Sequence, residues 1–369
     1  MIVAEQRRSE KMLQREYAVR FNTPAFLGNA EQGGQWRTPP FKHLLREWWR
    51  VAWAEKLGYP ADISAMRAEE ARLFGSAADG SGNRSLVRIR LGRWDMGKEQ
   101  KWDHDPKVEH PEVRNNNNKI VPVGSQLYLG YGPLAYDKKS KGTRLKANAA
   151  IQSGETAVFR IAFPDEDSAL LDRAADLMSA LGAVGGRSRN GWGSFELMDG
   201  DKAIFPDSLP LRKWQDCLSL EWAHAIGQDE NGALVWCTGE FSDWRKLMQE
   251  LARIKIALRT WFQFHLGGNA PRPEDRHWLS YPVTNHSVKP WDDMVKRQEV
   301  KKKGLGNRLP NSLRFKLRQD QNGKYYGVIF HMPCKPPAEF NPSVETLKAV
   351  WNKVHAYLDN TTQLTRGGQ

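Results

Sequence analysis

An alternation of hydrophobic and polar positions predicts a strand over residues 16–27, where Tyr17, Val19 and Phe21 fall on one face. A two-residue period of this kind is typical of a strand that is buried on one side. Similar but shorter patterns predict further strands, over residues 86–93, 126–131, 156–163, 194–198, 218–225, 234–238, 313–317 and 325–331. The last two read as a hairpin joined at Asn322-Gly323.

Apolar residues spaced by three and four positions predict helices over residues 38–57, 165–181, 242–262 and 342–358. Thr38 is the predicted N-cap of the first helix, and Pro39 suits its first turn. The order of elements in the first half is that of a ferredoxin-like (RRM-like) domain, and the second half repeats it loosely. We therefore expect an α+β protein with a flexible N-terminus (residues 1–15) and two such domains in tandem (16–200 and 201–369).

Positive charge is in excess, since 55 lysines and arginines stand against 43 acidic residues, a formal net charge of +12. This balance favours a polyanionic partner, although it also fits a soluble protein that is merely basic. The 15 tryptophans suit a core, but beside cations they can also stack on unpaired bases.

The remaining composition suggests no cofactor. Cys217, Cys237 and Cys334 are far apart and form no CxxC pair, which argues against a zinc site or a disulfide framework. No apolar signal core or membrane-length segment occurs, so we expect a cytoplasmic protein that is not attached to a membrane.

The segment Arg37–Arg50 carries the most informative charges. On the predicted helix, Lys42, Arg46, Trp49 and Arg50 share one face with Trp53. A solvated charged face is the usual explanation, but the charges on this face are nearly all positive, without acidic partners on it, and tryptophans lie between them. We expect this face to contact RNA or a protein partner.

A second segment, residues 182–193, is rich in glycine and arginine. Its glycines allow close approach of backbone amides to phosphates, Arg187 and Arg189 supply charge, and Trp192 supplies a stacking plane. It also fits a tight helix-to-strand connection. No Gly-Lys-Ser/Thr follows, which excludes a Walker loop. A third segment, Phe74–Ser76 with Arg84 soon after, fits a flexible loop or an RNA contact equally well.

Together these segments resemble the RAMP superfamily of CRISPR proteins, and within it the first subunits of type III-B Cmr effector complexes. The resemblance is carried by four motifs within about the first 200 residues. They are the Thr-Pro-x-x-x-Gly end of the first strand (23–28), the Arg-x-Pro-x-x-Lys-x-x-x-Arg-x-Trp-Trp-Arg helix (37–50), the Phe-Gly-Ser turn (74–76) and the glycine-rich loop (182–193). Asn190 stands where the family often has an arginine.

The resemblance implies two ferredoxin-like domains beside other RAMP subunits, contact with the 3′ part of a guide RNA or its target RNA, and no catalytic role. Two groups of residues follow as candidates for RNA binding. The phosphate-binding group is Arg37, Lys42, Arg46, Arg50, Arg84, Arg187 and Arg189, with Asn190 in the same loop. Trp49 and Trp192 are the stacking candidates, whereas Trp48 is assigned to the core.

Three alternatives remain open at the level of sequence. An endoribonuclease of the RAMP type would use His43 as its base. A metal enzyme would use Asp103-His104-Asp105 with Glu109-His110, although a solvated loop explains that cluster better and we expect no metal. A protein scaffold would use the basic faces to dock acidic neighbours.

Overall fold

The structure, a computed structural model, describes residues 11–31, 33–59, 62–76, 82–296 and 308–367. These residues form two compact units. Unit 1 takes the described parts of 1–100, 147–186 and 193–210, and unit 2 takes those of 101–146, 187–192 and 211–369. The two units are therefore not separated by one boundary at residue 200, because the chain passes from one unit to the other several times. A pattern of hydrophobic residues cannot show that the segment 101–146 packs in the second unit.

The helices begin and end as follows. They are α1 (Thr38–Lys56), α2 (Ile63–Phe74), α3 (Ser125–Gly130), α4 (Ser168–Leu181), α5 (Trp244–Trp261), α6 (Asp275–Leu279), α7 (Lys289–Lys296) and α8 (Val344–Asp359). Within the described residues, no helix combines the length and the apolar character needed to cross a membrane.

The strands range from two to ten residues in length. They are β1 (Met12–Phe21), β2 (Arg88–Leu91), β3 (Lys107–Val108), β4 (Val123–Gly124), β5 (Leu134–Asp137), β6 (Gly142–Leu145), β7 (Thr156–Pro164), β8 (Phe195–Asp199), β9 (Lys202–Ala203), β10 (Leu211–Lys213), β11 (Ile226–Asp229), β12 (Gly232–Ala233), β13 (Val235–Thr238), β14 (Asn269–Ala270), β15 (Ser287–Val288), β16 (Leu313–Gln319), β17 (Tyr325–His331) and β18 (Leu364–Arg366).

Unit 1 is built on an antiparallel sheet with the strand order β2-β7-β1-β8-β9. Strand β1 pairs with β7 from Met12 opposite Pro164 to Arg20 opposite Thr156. The prediction of a flexible segment up to residue 15 is therefore wrong from Met12 onward. Helix α1 joins the core through Phe41, whose ring lies 5.4 Å from that of Phe159.

Unit 2 contains a second antiparallel sheet, in the order β16-β17-β13-β18. The predicted hairpin is confirmed, with Leu313 opposite His331 and Gln319 opposite Tyr325. Along the chain, the elements of each unit include a series of strand, helix, strand, strand, helix and strand, with further elements between or after them. This series is β1, α1, β2, β7, α4 and β8 in unit 1, and β13, α5, β16, β17, α8 and β18 in unit 2. In each sheet the second of these strands lies at one edge, beside the third.

Several local predictions are wrong. Residues 126–131 lie mostly in helix α3, because the Asp105 carboxylate accepts hydrogen bonds from the N–H groups of Gln126 and Leu127 and so caps the first turn. Residues 218–225 form no strand, and the strand begins only at Ile226. The N-cap of α1 is Arg37 rather than Thr38. The sequence also has a run of three lysines at 301–303, which lies outside the described residues.

Candidate nucleic-acid interface

Five of the ten predicted RNA-binding residues lie on helix α1 or at its N-cap, and the first of them, Arg37, has a structural role. The Arg37 guanidinium donates a hydrogen bond to the carbonyl oxygen of Gly28, so it ties the start of the helix to the Thr-Pro-x-x-x-Gly segment. Pro39 and Pro40 fill the first turn, where a missing N–H removes no helical hydrogen bond. The side chain of Arg37 is half-buried.

Helix α2, which the sequence analysis did not predict, covers the part of α1 that bears the tryptophans. The Trp49 side chain is completely buried, and its ring lies 5.8 Å from that of Phe74 at the end of α2. Trp53 is also buried. The prediction that Trp49 stacks on RNA bases is wrong, because α2 occupies the face on which a base would lie. The assignment of Trp48 to the core is confirmed.

The same helix brings an acidic partner to the basic face. The buried carboxylate of Glu70 accepts hydrogen bonds from the Nε atoms of Arg46 and Arg50, both at 2.5 Å. Burial alone would raise the pKa of Glu70, but these two hydrogen bonds and charges outweigh it and hold the pKa below its usual value. The expectation that these cations lack acidic partners is therefore wrong, although two arginines still share only one carboxylate.

A cavity of about 590 Å³ opens beside the start of α1, between it and the segment that leads into β2. Among the residues that the structure describes, all of the titratable residues that line it are basic. They are Lys42, His43, Arg46, Arg84 and Arg88. A concave surface lined by one sign of charge concentrates ions of the opposite sign. The cavity therefore provides a suitable environment for a phosphate-bearing ligand.

Two of these cations are available to a ligand. Arg84 and Arg88 are exposed, and neither side chain has a hydrogen bond or ion pair to another described residue. Lys42 is half-buried and donates a hydrogen bond to the Ser85 hydroxyl, at 2.7 Å. Burial, followed by the charge of Arg46, lowers the pKa of Lys42. The predicted residues Lys42, Arg46 and Arg84 thus meet in one cavity.

The Phe-Gly-Ser turn explains how Arg84 reaches this position. Gly75 has a φ of +84°, and a Cβ added there would lie 2.9 Å from the carbonyl oxygen of Asn83. The N–H of Ser76 also donates to that oxygen, at 3.2 Å. Only glycine suits this conformation and close approach. The turn therefore holds the segment containing Arg84 against the end of α2.

His43 also lines the cavity, and its side chain is largely exposed. Its Nε2 lies 3.5 Å from the Glu47 carboxylate. A hydrogen bond donated by the imidazole to the Glu47 carboxylate raises the pKa of His43 above its usual value, which favours the protonated form. A protonated imidazole adds to the positive charge of the cavity.

The glycine-rich loop is divided between the two units. Residues 182–186 and 193 lie in unit 1, where the N–H groups of Gly186 and Gly193 donate to the carbonyl oxygens of Phe26 and Pro24. A Cβ at Gly185 would lie 2.6 Å from the Phe26 carbonyl oxygen. These glycines therefore serve the packing of the Thr-Pro-x-x-x-Gly segment, which is the structural explanation that the sequence left open.

The remainder of the loop, residues 187–192, belongs to unit 2. Trp192 is completely buried and contacts Trp102 and Trp244 at ring distances of 5.5 and 5.9 Å, so the prediction that it stacks on bases is wrong. Arg189 donates to the Asn311 carbonyl oxygen at 3.0 Å. Only Arg187 is exposed and has no side-chain hydrogen bond or ion pair to another described residue.

Asn190 is also used within unit 2. Its side-chain amide donates to the Leu129 carbonyl oxygen at 2.7 Å, and its oxygen accepts a hydrogen bond from Lys255. An asparagine in place of the arginine common in this motif thus connects α3 to α5. Its predicted contact with RNA stays a prediction, and both of its polar groups already have protein partners.

Comparison with known proteins assigns the first half of the chain. Residues 20–196 match the family model of the RAMP superfamily. The chain contains a RAMP domain. The match extends over all four motifs of the sequence analysis, and the predicted membership of this superfamily is confirmed. No curated protein sequence matches the chain.

Solved structures show distant likenesses across nearly the whole chain. The crystal structure of apo Cmr1 from Pyrococcus furiosus has 15% identity and a TM-score of 0.40, covering 92% of this chain and 96% of that one. Two chains of type III-B Cmr-beta complexes bound to cognate target RNA, one of them with AMPPnP and in the presence of ssDNA, have 11% and 12% identity and TM-scores of 0.43 and 0.44. Each covers 94% of this chain and 100% of that one.

Two residues outside the RAMP-domain motifs, Arg88 and Lys255, were not predicted from the sequence as candidate functional residues. Arg88 alternates with apolar residues in β2, which marked it as a strand residue without showing that it faces a cavity. Lys255 lies on α5, and burial, helped by the charges of Arg259 and Arg187, lowers its pKa to about 7. Neither position carries a local motif.

Two residues of the cluster considered for a metal site, Asp105 and His110, have other contacts in the structure. Asp105 accepts hydrogen bonds from the first turn of α3 and from the hydroxyl of Thr143. His110 is buried beside Tyr128, at a ring distance of 5.5 Å. Among the residues that the structure describes, no group of three or more His, Cys, Asp or Glu side chains is arranged to hold a metal ion.

Proposed function

We propose that this protein is an RNA-binding subunit of a type III-B CRISPR effector complex, and that it has no catalytic role. The cavity beside α1 carries the proposal, because among the described residues five basic side chains and no acidic one line it. The RAMP match over residues 20–196 and the four motifs support placing it among Cmr first subunits. The proposal includes two tandem ferredoxin-like domains. The two main sheets favour this fold, because their corresponding strands lie in the same spatial order.

In this proposal Arg84 and Arg88 bind phosphates directly, while Glu70 holds Arg46 and Arg50 in position. Phosphate contacts fix the position of a bound strand but carry little sequence information. The RNA is the 3′ part of a guide, its paired target, or both. Other RAMP subunits of the complex are the protein partners.

The proposal is tested by measuring the affinity for labelled single-stranded RNA over a series of salt concentrations. Replacing Arg84 and Arg88 together by alanine should weaken binding and reduce the slope of log affinity against log salt by about 1.4, at roughly 0.7 per phosphate contact. Arg67→Ala is the matched control, since Arg67 is an exposed cation of unit 1 that does not line the cavity. An unchanged slope in the double variant would contradict the proposal.

An endoribonuclease is the second candidate, and His43 in the cavity is the observation that favours it. It is tested by running a denaturing gel on the same samples. We expect intact RNA. If the wild type cleaves RNA without added metal and His43→Ala does not, the protein is a ribonuclease and the proposed non-catalytic function is wrong. Absence of RNA binding at low salt would favour a protein scaffold.

A further inference from the structure

Trp49 and Trp192 are both buried, so neither ring offers a face to an RNA base, whereas unit 2 carries an exposed tyrosine. Tyr131, which directly follows α3, is 66% exposed, more than any other large hydrophobic or aromatic side chain of the described residues. An aromatic ring that is open to solvent offers a face on which an unpaired base can stack.

Arg187 lies next to this tyrosine. A Cβ added at Gly132 would be 3.4 Å from Nη2 of Arg187, so the guanidinium lies against the turn that follows Tyr131. The backbone of Arg187 has a φ of +61°, a conformation that is uncommon for residues other than glycine and asparagine. The hydrogen bond from the N–H of Asn190 to the Arg187 carbonyl oxygen, at 2.9 Å, closes this turn. Strained positions of this kind are often found at functional sites.

The charge of a second cation, Arg308, acts on Arg187. Partial desolvation and the charge of Arg308 both lower the pKa of Arg187, although its side chain still reaches solvent. Arg308 is exposed as well. No carboxylate of the described residues acts on Arg187, and the remaining influence is the Tyr131 phenol. Two cations that repel each other without an acidic neighbour are stabilised when an anion binds.

We infer that Tyr131, Arg187 and Arg308 form a site for one unpaired nucleotide of bound RNA, with the base stacked on the tyrosine and the phosphate held by the arginines. The inference rests on the proposed RNA-binding function and adds a second contact region to it. An acidic protein partner would use the two arginines but would gain less from an open aromatic ring beside them.

The test compares two ligands, a single-stranded RNA and inorganic polyphosphate, which carries phosphates but no bases. Tyr131→Ala should weaken RNA binding by about 5- to 150-fold, the usual contribution of one stacked base, and leave polyphosphate binding unchanged. Tyr131→Phe should bind RNA as the wild type does. The combination Arg187→Asn and Arg308→Gln should weaken both ligands, and asparagine tolerates the left-handed backbone at position 187.

Tyr136→Ala is the matched control, since Tyr136 is a 52% exposed tyrosine in the same unit. If Tyr131→Ala binds RNA as tightly as Tyr136→Ala does, the nucleotide site is excluded. In that case the proposed function stands as long as the Arg84 and Arg88 variant still weakens binding. If the wild type binds no RNA at low salt, both the site and the proposed function are excluded.

Discussion

The cations of α1 and those of the glycine-rich loop differ in what surrounds them. In unit 1, Arg46 and Arg50 share Glu70, and the neighbouring Arg84 stays exposed at a cavity. In unit 2, Arg189 and Lys255 are already engaged by protein groups, and Arg187 is the exception. The comparison teaches that a basic motif reveals a functional surface only when the hydrogen-bond partners of each cation are known.

The largest expected effect concerns the buried tryptophan of the first region. Trp49→Ala should lower the free energy of unfolding by about 3–5 kcal/mol, because it leaves a large cavity between α1 and α2. Trp49→Phe should cost much less and leave the affinity for RNA unchanged. Chemical denaturation and the RNA titration measure the two effects. Weaker RNA binding by a well-folded Trp49→Phe protein would restore Trp49 as an RNA contact.

The next effect concerns the carboxylate that organises the same region. Glu70→Gln should cost about 2 kcal/mol of unfolding free energy, less than for a fully buried pair because both arginines are partly exposed. The pKa of Glu70 is lowered, so its contribution is complete above the ordinary value of 4.5 and is lost as the pH falls below it. Denaturation curves at several pH values should show the difference between wild type and variant shrinking in acid. A difference that stays constant would contradict the ion-pair account.

A smaller effect is expected for the engaged arginine of the loop. Arg189→Ala removes a hydrogen bond to the Asn311 carbonyl oxygen and should cost about 1 kcal/mol of stability. The salt slope of RNA binding should stay at the wild-type value, in contrast to the Arg84 and Arg88 variant. A slope reduced by about 0.7 would show that Arg189 binds a phosphate and would remove the distinction between the two regions.

The smallest effect at neutral pH is expected at Lys255. The pKa of Lys255 is lowered to about 7, so the unfolded chain holds its proton up to a higher pH than the folded protein does. Stability should therefore rise as the pH increases from about 7 towards the ordinary value for a lysine. Lys255→Met should lose this rise, as measured by thermal unfolding at several pH values. If Lys255 stayed charged in the folded protein, the stability of the wild type and that of the variant would depend on pH in the same way, which would contradict this account.

Much of the fold followed from local patterns. Strands β1, β7 and the β16–β17 hairpin are long and periodic. The positions of β7 and of the hairpin were predicted to within about two residues, whereas β1 begins at Met12 and ends at Phe21, several residues before its predicted bounds. Helix α3 was predicted as a strand, because its cap is supplied by Asp105, some 20 residues away in the chain. Short segments whose conformation depends on distant partners carry no local signal.

The errors in the candidate site share one cause. Helix α2 was not predicted, and it supplies both Phe74, which covers Trp49, and Glu70, which pairs with Arg46 and Arg50. The spacing on α1 showed which residues share a face but could not show what packs against it. Arg84 was found through the Phe-Gly-Ser motif, whereas Arg88 became visible only in the cavity.

Cross-linking of bound single-stranded RNA tests the central claim most directly. RNA containing 4-thiouridine is bound to the whole chain at low salt and irradiated, and the attached peptides are identified by mass spectrometry. The account predicts attachment within residues 38–46 and 82–89, which line the cavity, and loss of this attachment in the Arg84 and Arg88 variant. Attachment only at other segments, or attachment that the variant leaves unchanged, would contradict it.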